Sequence, residues 1–275
     1  MRIVMPLFNF CNDSNEEFVF DGGKYAIRRL NANDEIPEID LFSKQDIDYM
    51  KMESWALVAE DQDVKKYVQD VNILLLSFRI YKSAPVFIKY RLCKDNVSLC
   101  TRLCDTMRPI LPKESCRIIT PNDLNIINVG FKNLLCMEAI SDRTHNAGYF
   151  LYRGFCSEKM IDSFVLLMMA VESLFSSEER GGITNIICSR VSNFLDCKPR
   201  CKYEDISKLY DLRSKMVHGK LVVDDDIKGQ LGTLHELQYV VTQCMRKMLD
   251  NKIYRIYGDI QEKERYFNEL VNREV

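Results

Sequence analysis

Long apolar runs, secretory features and an excess of charge of either sign are all missing from this sequence of 275 residues. Its longest apolar run, residues 164–171, is much shorter than the roughly 20 residues that cross a bilayer. The first residues show neither the basic nor the apolar segment of a signal peptide. Because 38 basic residues nearly balance 40 acidic ones, any nucleic-acid binding must use a local basic patch. These absences predict a protein without a membrane anchor.

Several catalytic signatures are absent as well. There is no Gly-x-Ser-x-Gly, which argues against a serine hydrolase, and no His-Glu-x-x-His, which excludes a zincin. The N-terminal part has no phosphate-binding glycine loop. Histidine is scarce, with only three residues in the chain. We expect His145 to lie solvated in a polar loop and His235 to be a surface or satisfied interface residue.

Cysteine, in contrast, is plentiful, and its 11 residues are scattered from Cys11 to Cys244. An odd, unpatterned set is typical of a reducing cytoplasm, where free thiols pack as small apolar groups. Cys100/Cys104 and Cys197/Cys201 are each four residues apart. Structural zinc sites usually have tighter pairs with partners at defined distances. We therefore expect a cytoplasmic protein with buried thiols, no metal and no cofactor.

The sequence predicts an α+β fold in two domains, beginning with a small mixed domain over residues 1–119. Strands are expected at residues 2–10, 18–20, 25–27, 55–59 and 86–93, and helices at residues 43–52 and 63–80. Pro6 argues for an edge position of the first strand. The segment from Asp21 to Lys24 is typical of a hairpin turn, while Ser43 and Asp63 can cap the helices. We expect this domain to be a scaffold or a recognition module.

Residues 120–275 read almost entirely as helix and predict an all-α domain. Thr120 followed by Pro121 and Asp123 is typical of a helix start, and this helix should end near residue 140. Further helices are expected at residues 158–175, 183–195 and 204–218, with another beginning at residues 224–226. Residues 252–275 are charged and predict a peripheral helix.

Two charged residues lie at or beside apolar helix faces. Glu172 directly follows the apolar run, and Arg190 lies next to the apolar face of the following helix. A buried charge needs a partner, so we expect a Glu172–Arg190 ion pair. Such a pair can fix the register of two core helices, or it can support an active site.

The segment from Tyr210 to Gly219 carries the chain's best functional signal. Arg213 falls on the apolar face of its helix, and His218 follows five residues later. An ideal helix separates two such positions by about 140°, so they do not converge while the helix stays regular. Gly219 favours a helix end at this point. The turn can bring the imidazole towards Arg213 or into a cleft shared with a second copy.

The order of these segments resembles HEPN domains, specifically the Apea-like branch, over about residues 150–220. The resemblance rests on three segments: Ala170-Val171-Glu172-Ser173-Leu174-Phe175, Ser189-Arg190-Val191, and Tyr210-Asp211-Leu212-Arg213-Ser214-Lys215-Met216-Val217-His218-Gly219. The opening Met5-Pro6-Leu7-Phe8-Asn9-Phe10 is also similar to the start of such proteins. The resemblance implies a helical HEPN bundle, often dimeric, for the C-terminal domain.

Many HEPN proteins are metal-independent endoribonucleases with an Arg-x4–6-His motif. The resemblance places that motif on Arg213 and His218, with Ser214 at the polar position after the arginine. Supporting roles fall to Glu172, Arg190 and Tyr210. A basic rim for RNA is expected from Lys215, Lys220, Arg200 and Lys202.

Two functions are open at this point. The first is an endoribonuclease, acting as a toxin or defence effector, with a second copy and a neutralising or regulatory protein as partners. The second is a catalytically silent HEPN module for dimerisation or ligand binding. In that case Arg213 and Glu172 are structural residues, and His218 simply ends a helix.

Overall fold

The computed structural model of this chain describes residues 2–14, 16–31, 36, 40–60, 64–93, 95–103, 118–178, 182–219 and 228–272. The chain forms two compact units, Met1–Lys132 and Asn133–Val275. The α+β class is confirmed, with a small antiparallel sheet in the first unit and helices in the second. The division falls inside a helix, so the domain boundary expected before residue 120 stays a prediction.

The first unit is built on an antiparallel five-stranded sheet. Its strands are β1 (Arg2–Phe8), β2 (Phe18–Phe20), β3 (Tyr25–Arg29), β4 (Trp55–Glu60) and β5 (Phe87–Ile88), in the order β2-β3-β4-β1-β5. The strands β6 (Tyr90–Arg91) and β7 (Thr101–Arg102) form a separate pair. The predicted hairpin is confirmed, since Phe18 pairs with Ile27 and Phe20 with Tyr25.

The edge position expected from Pro6 is wrong, because β1 lies between β4 and β5. Two residues lie between Val4 and Leu7 on β1, but three lie between Ile88 and Leu92, the residues opposite them. This extra residue is a β-bulge beside Pro6. A proline lacks the N–H donor that a regular ladder requires, so an interrupted ladder on one side accommodates it.

Helices cover both faces of this sheet. α1 (Lys44–Lys51) begins with the predicted cap at Ser43, whose side chain accepts from the Asp46 N–H. Its Met50 joins a buried cluster with Val4 and Phe8 of β1. α2 is Val64–Lys82, and its Tyr67 contacts Met5 on the opposite face of the same strand. The cap expected from Asp63 lies outside the described residues.

α3 (Pro121–Glu138) begins where the sequence predicts. The Asp123 N–H donates to Thr120 Oγ1 at 3.3 Å, and the Thr120 N–H donates to Asp123 Oδ2 at 3.0 Å, which is the reciprocal cap.

Gly130, in the middle of α3, does not break the helix. A Cβ there would lie 2.0 Å from the Tyr81 ring, so this glycine permits close packing.

The second unit is a bundle arranged around an apolar helix, α5. Its helices are α4 (Asp142–Cys156), α5 (Met160–Phe175), α6 (Ile183–Phe194), α7 (Tyr203–Val217), α8 (Lys228–Asp250) and α9 (Ile260–Asn272). A 3₁₀ segment, Ile253–Gly258, precedes α9. α5 packs against α4, α6, α7 and α8. Across the described ranges, no helix combines the length and apolarity that a bilayer crossing requires.

The expectation of a peripheral C-terminal helix is wrong. Phe267 of α9 is fully buried and makes edge contacts with Phe175 of α5, at 5.4 Å between ring centroids, and with Tyr257. It also contacts Phe194 of α6 at 6.3 Å. α9 therefore completes the core of the bundle, although five of its 13 residues are charged.

Phe267→Ala should lower the free energy of unfolding by about 3–5 kcal/mol, because it removes the ring at the centre of this aromatic cluster. Glu269→Ala, an exposed change on the same helix, should alter it by less than about 0.5 kcal/mol. Urea unfolding followed by circular dichroism measures both. Equal, small effects would show that α9 does not contribute to the core.

Candidate functional site

The candidate site lies where α5 and α7 pack together. α5 is almost wholly apolar, and Glu172 stands in its last turn. α7 presents Tyr210 and Arg213 from one face, since residues three apart are neighbours on a helix surface. The carboxylate of Glu172 on α5 thus faces the guanidinium of Arg213 and the phenol of Tyr210 on α7.

Glu172, Arg213 and Tyr210 form one network. Arg213 NH2 donates to Glu172 Oε2 at 3.2 Å, and the Tyr210 hydroxyl donates to Oε1 at 2.7 Å. Arg213 Nε is also 3.2 Å from Oε1, but at an angle outside hydrogen-bond geometry. Both charged side chains keep 23% of their surface exposed. The pair is therefore braced by the protein yet open to solvent on one side.

Tyr210 is a buried member of this network. Burial raises the pKa of its phenol, and the hydrogen bond to Glu172 raises that pKa further. The hydroxyl therefore stays protonated at neutral pH and acts as a donor. It fixes one carboxylate oxygen of Glu172 and leaves the other to Arg213.

His218 ends α7, as the sequence predicts. Its backbone N–H donates to the Ser214 carbonyl at 3.0 Å, and the Gly219 N–H donates to the Met216 carbonyl at 3.3 Å. Gly219 has φ of +65°, the left-handed conformation that commonly follows a helix end. The His218 side chain is exposed, while Ser214 is half-buried. The imidazole is thus displayed at an open helix terminus.

The Glu172–Arg190 pair expected from the sequence is wrong. Arg190 is only 3% exposed, and its NH2 group donates to Glu264 of α9. Its NH1 group donates to the carbonyls of Phe175 and Ser176, at 3.3 and 3.2 Å. Arg190 therefore contacts the end of α5, whereas Glu172 pairs with Arg213. The two charged networks are separate.

Other donors also reach the carbonyls at the end of α5. Arg143 NH1 donates to Ser173 O at 3.4 Å, and the Tyr257 hydroxyl donates to Leu174 O at 2.6 Å. Lys263 Nζ, whose side chain is 1% exposed, donates to Ser176 O at 3.1 Å. The last carbonyls of a helix have no partner within it, so these side chains satisfy them. The bonds tie α4, α6 and α9 to α5.

Carboxylates balance most of this positive charge. Glu264 contacts Arg190 and lies 3.0 Å from Lys263, while Glu178 lies 2.5 Å from Arg143 and 3.4 Å from Lys263. Burial acts to raise the pKa of Glu264, but Arg190 and Lys263 outweigh it, so the pKa falls to about 2. Lys263 and Glu264 are not among the residues that the sequence predicts to be functional. Their positions, four and three residues before Phe267, are the one signal in the sequence that places them on its helix face.

Three of the four residues expected to form the basic rim lie within the part of the chain that the structure describes. Lys215 is exposed and pairs with Asp211 at 2.6 Å. Arg200 has φ of +68° and stands 5.9 Å from the Tyr239 ring centre, and Lys202 is exposed at the start of α7. Lys220 lies outside the described residues. Lys215, Arg200 and Lys202 can therefore reach an anionic ligand from solvent.

The remaining candidates lie apart from the network. His145 is in α4, not in a loop, and its Nδ1 is 3.9 Å from Glu138 Oε2. His235 is half-buried in α8. The cysteines within the described ranges are free, and no cluster of His, Cys, Asp or Glu in those ranges could hold a metal ion.

Comparisons with protein-family models, curated protein sequences and solved structures gave no match for this chain. The resemblance to HEPN domains therefore depends on the motif residues alone.

Glu264→Gln should destabilise the protein by about 3 kcal/mol at pH 7, because it leaves Arg190 and Lys263 without their shared carboxylate. The pKa of Glu264 is about 2 when folded, below its ordinary value of 4.5, so its contribution is complete above pH 4.5 and declines at lower pH. The difference from wild type should therefore narrow by about 2 kcal/mol, to about 1 kcal/mol, at pH 3. Urea unfolding at several pH values measures it.

Glu269→Gln, an exposed change on the same helix, provides the control and should show no such pH dependence. A difference between Glu264→Gln and wild type that stays constant from pH 7 to pH 3 would contradict the assigned charge network.

Proposed function

We propose that this protein is a HEPN-type endoribonuclease that cleaves RNA without a metal ion, using Arg213 and His218. The observation that carries the proposal is the environment of the two residues of the Arg-x4-His motif. Arg213 is braced by Glu172 at a partly open surface, and His218 is exposed at the end of the same helix. An arginine held in place and a solvent-accessible histidine near the same helix end are the two groups that phosphodiester cleavage needs, although a regular helix directs them about 140° apart.

The proposed reaction is an internal displacement at phosphorus. A general base takes the proton from a ribose 2′-hydroxyl, and that oxygen attacks the adjacent phosphate. The bond to the 5′-oxygen of the next nucleotide breaks, and a general acid supplies the proton to this leaving oxygen. The products are a 2′,3′-cyclic phosphate and a 5′-hydroxyl, so no water or metal is consumed in this step.

Arg213 and His218 would divide this work. Histidine exchanges protons near neutral pH, so His218 suits acid or base catalysis. The guanidinium of Arg213 stabilises the charge that develops on the phosphate oxygens. Glu172 contacts only one edge of that guanidinium, through Nε and NH2, so NH1 is the donor directed to substrate. Glu172 and Tyr210 are positioning residues in this scheme.

A second copy of the chain would complete the site. The reaction needs both a base and an acid, but each motif supplies one histidine. Two copies of the exposed α7 terminus facing one cleft would supply two histidines and two arginines. A fully active sample whose mass in solution is that of a single 32.2 kDa chain would contradict this arrangement.

The silent HEPN module is the second candidate, and one observation favours it. Arg213 already has a carboxylate partner in Glu172, and a half-buried ion pair between packed helices is also a common structural feature. In that case the pair fixes the register of α5 against α7. The two candidates differ in what RNA cleavage assays of the variants would report.

Wild-type protein should cleave mixed single-stranded RNA in the presence of EDTA. His218→Ala should slow cleavage by about 100-fold or more, because it removes a proton-transfer group. Arg213→Ala should have an effect of similar size, because it removes the cation that stabilises the phosphate. Single-turnover rates from end-labelled RNA measure both.

His145→Ala and Arg265→Ala are the matched controls, since both residues are exposed in the same unit and lie outside the network. Their rates should equal that of wild type. Cleavage that survives in both motif variants would rule out the assigned site. Absence of cleavage by folded wild type across varied RNAs would favour the silent module.

A further inference from the structure

A groove of about 410 Å³ lies between α6 and α9, apart from the Arg213 network. Its volume falls within the range of ligand sites, which is about 300–1,000 Å³. Polar side chains line both walls: Asn185 and Ser189 on α6, and Asn268 and Asn272 on α9. Ile186 and Val271 add one aliphatic side chain from each helix.

The polar residues are spaced one helical turn apart on each wall. Asn185 and Ser189 are four residues apart, as are Asn268 and Asn272, which corresponds to a rise of about 6 Å. In an extended chain, every second peptide group points the same way, and these groups recur about every 6.6 Å. The two walls therefore match the repeat of an extended peptide backbone.

Two of the asparagines are oriented by the surrounding structure. Asn185 Oδ1 accepts from the Tyr203 hydroxyl at 3.0 Å, and Asn268 Oδ1 accepts from Arg190 NH2 at 3.5 Å. Because these bonds engage the carbonyl oxygens, the NH2 groups are the donors that these two side chains can offer to a ligand. Such donors suit peptide carbonyls.

The charge of the groove argues against a nucleic-acid strand as its ligand. Among the described residues that line it, Arg190 is the only charged one, and its terminal nitrogens already contact Phe175, Ser176, Glu264 and Asn268. A nucleic-acid strand brings a phosphate at each repeat, which requires cations that are not engaged elsewhere. The described lining also contains no aromatic ring on which a base could stack.

We propose that this groove binds an extended, uncharged peptide segment of a partner protein. Asn185 and Asn268 donate to carbonyls of the peptide backbone, and Ser189 and Asn272 extend the same contacts by one repeat. Ile186 and Val271 accommodate one aliphatic side chain of the peptide. This site does not depend on RNA cleavage, so either proposal can fail while the other stands.

The test is a selection of random nine-residue peptides on the full-length protein, with counter-selection on the double variant Asn185→Ala/Asn268→Ala. Enriched peptides should bind wild type at least about tenfold more tightly than the double variant, which is the effect of losing one or two hydrogen bonds. Fluorescence anisotropy measures the affinities. Both residues are exposed, so the variant should keep the unfolding midpoint of wild type.

The double variant Thr184→Ala/Glu269→Ala is the matched control, because it changes the exposed neighbours of the two asparagines and should bind like wild type. Replacing single peptide bonds by esters should weaken binding at alternate positions only. Three results would overturn the proposal: no enrichment on wild type, equal binding to Asn185→Ala/Asn268→Ala, or a requirement for these asparagines in binding oligouridylate but not peptides.

Discussion

The C-terminal end of α5, where Leu174 and Phe175 are buried, is the constraint on which the bundle depends. The last carbonyls of a helix have no partner within it, and leaving a buried one without a donor costs about 1–3 kcal/mol. Arg143 from α4, Arg190 from α6 and Lys263 from α9 supply those donors. Their charges then require Glu178 and Glu264 nearby. The need to supply donors to one helix end thus explains why three helices bring charged side chains into the same region.

The same helix end fixes the place of the candidate site. Glu172 precedes Phe175 by less than one turn, so the bonds that anchor the end of α5 also hold this carboxylate. Glu172 in turn holds Arg213 and Tyr210, which sets the position of α7 and of the histidine that ends it. Positioning of this kind lets a guanidinium act on a phosphate without first reorganising. Stability and the proposed chemistry therefore share one scaffold while using separate charge networks.

Local signals in the sequence were sufficient for much of the fold. The caps at Ser43 and Thr120, the hairpin at Asp21 to Lys24 and the helix end at Gly219 depend on residues close in the chain, and all are present. Periodicity also placed Arg213 on an inward face. Periodicity does not distinguish between possible partners, so it pairs Arg190 with Glu172, whereas the carboxylate that Arg190 contacts lies 74 residues away in α9. The charged residues of α9 predict a surface helix, so the sequence does not indicate that Phe267 is buried. The bulge beside Pro6 depends on a strand far along the chain, which local signals do not reveal.

In the proposed mechanism the ribose 2′-hydroxyl is the nucleophile, and the reaction needs no metal. An RNA with one favoured cleavage position, compared in EDTA with the same RNA carrying a single 2′-deoxyribose at that nucleotide, provides the decisive measurement. The all-ribose strand should yield a 2′,3′-cyclic phosphate, and the substituted strand should stay intact at that position. Cleavage of the substituted strand at the same position would contradict this mechanism.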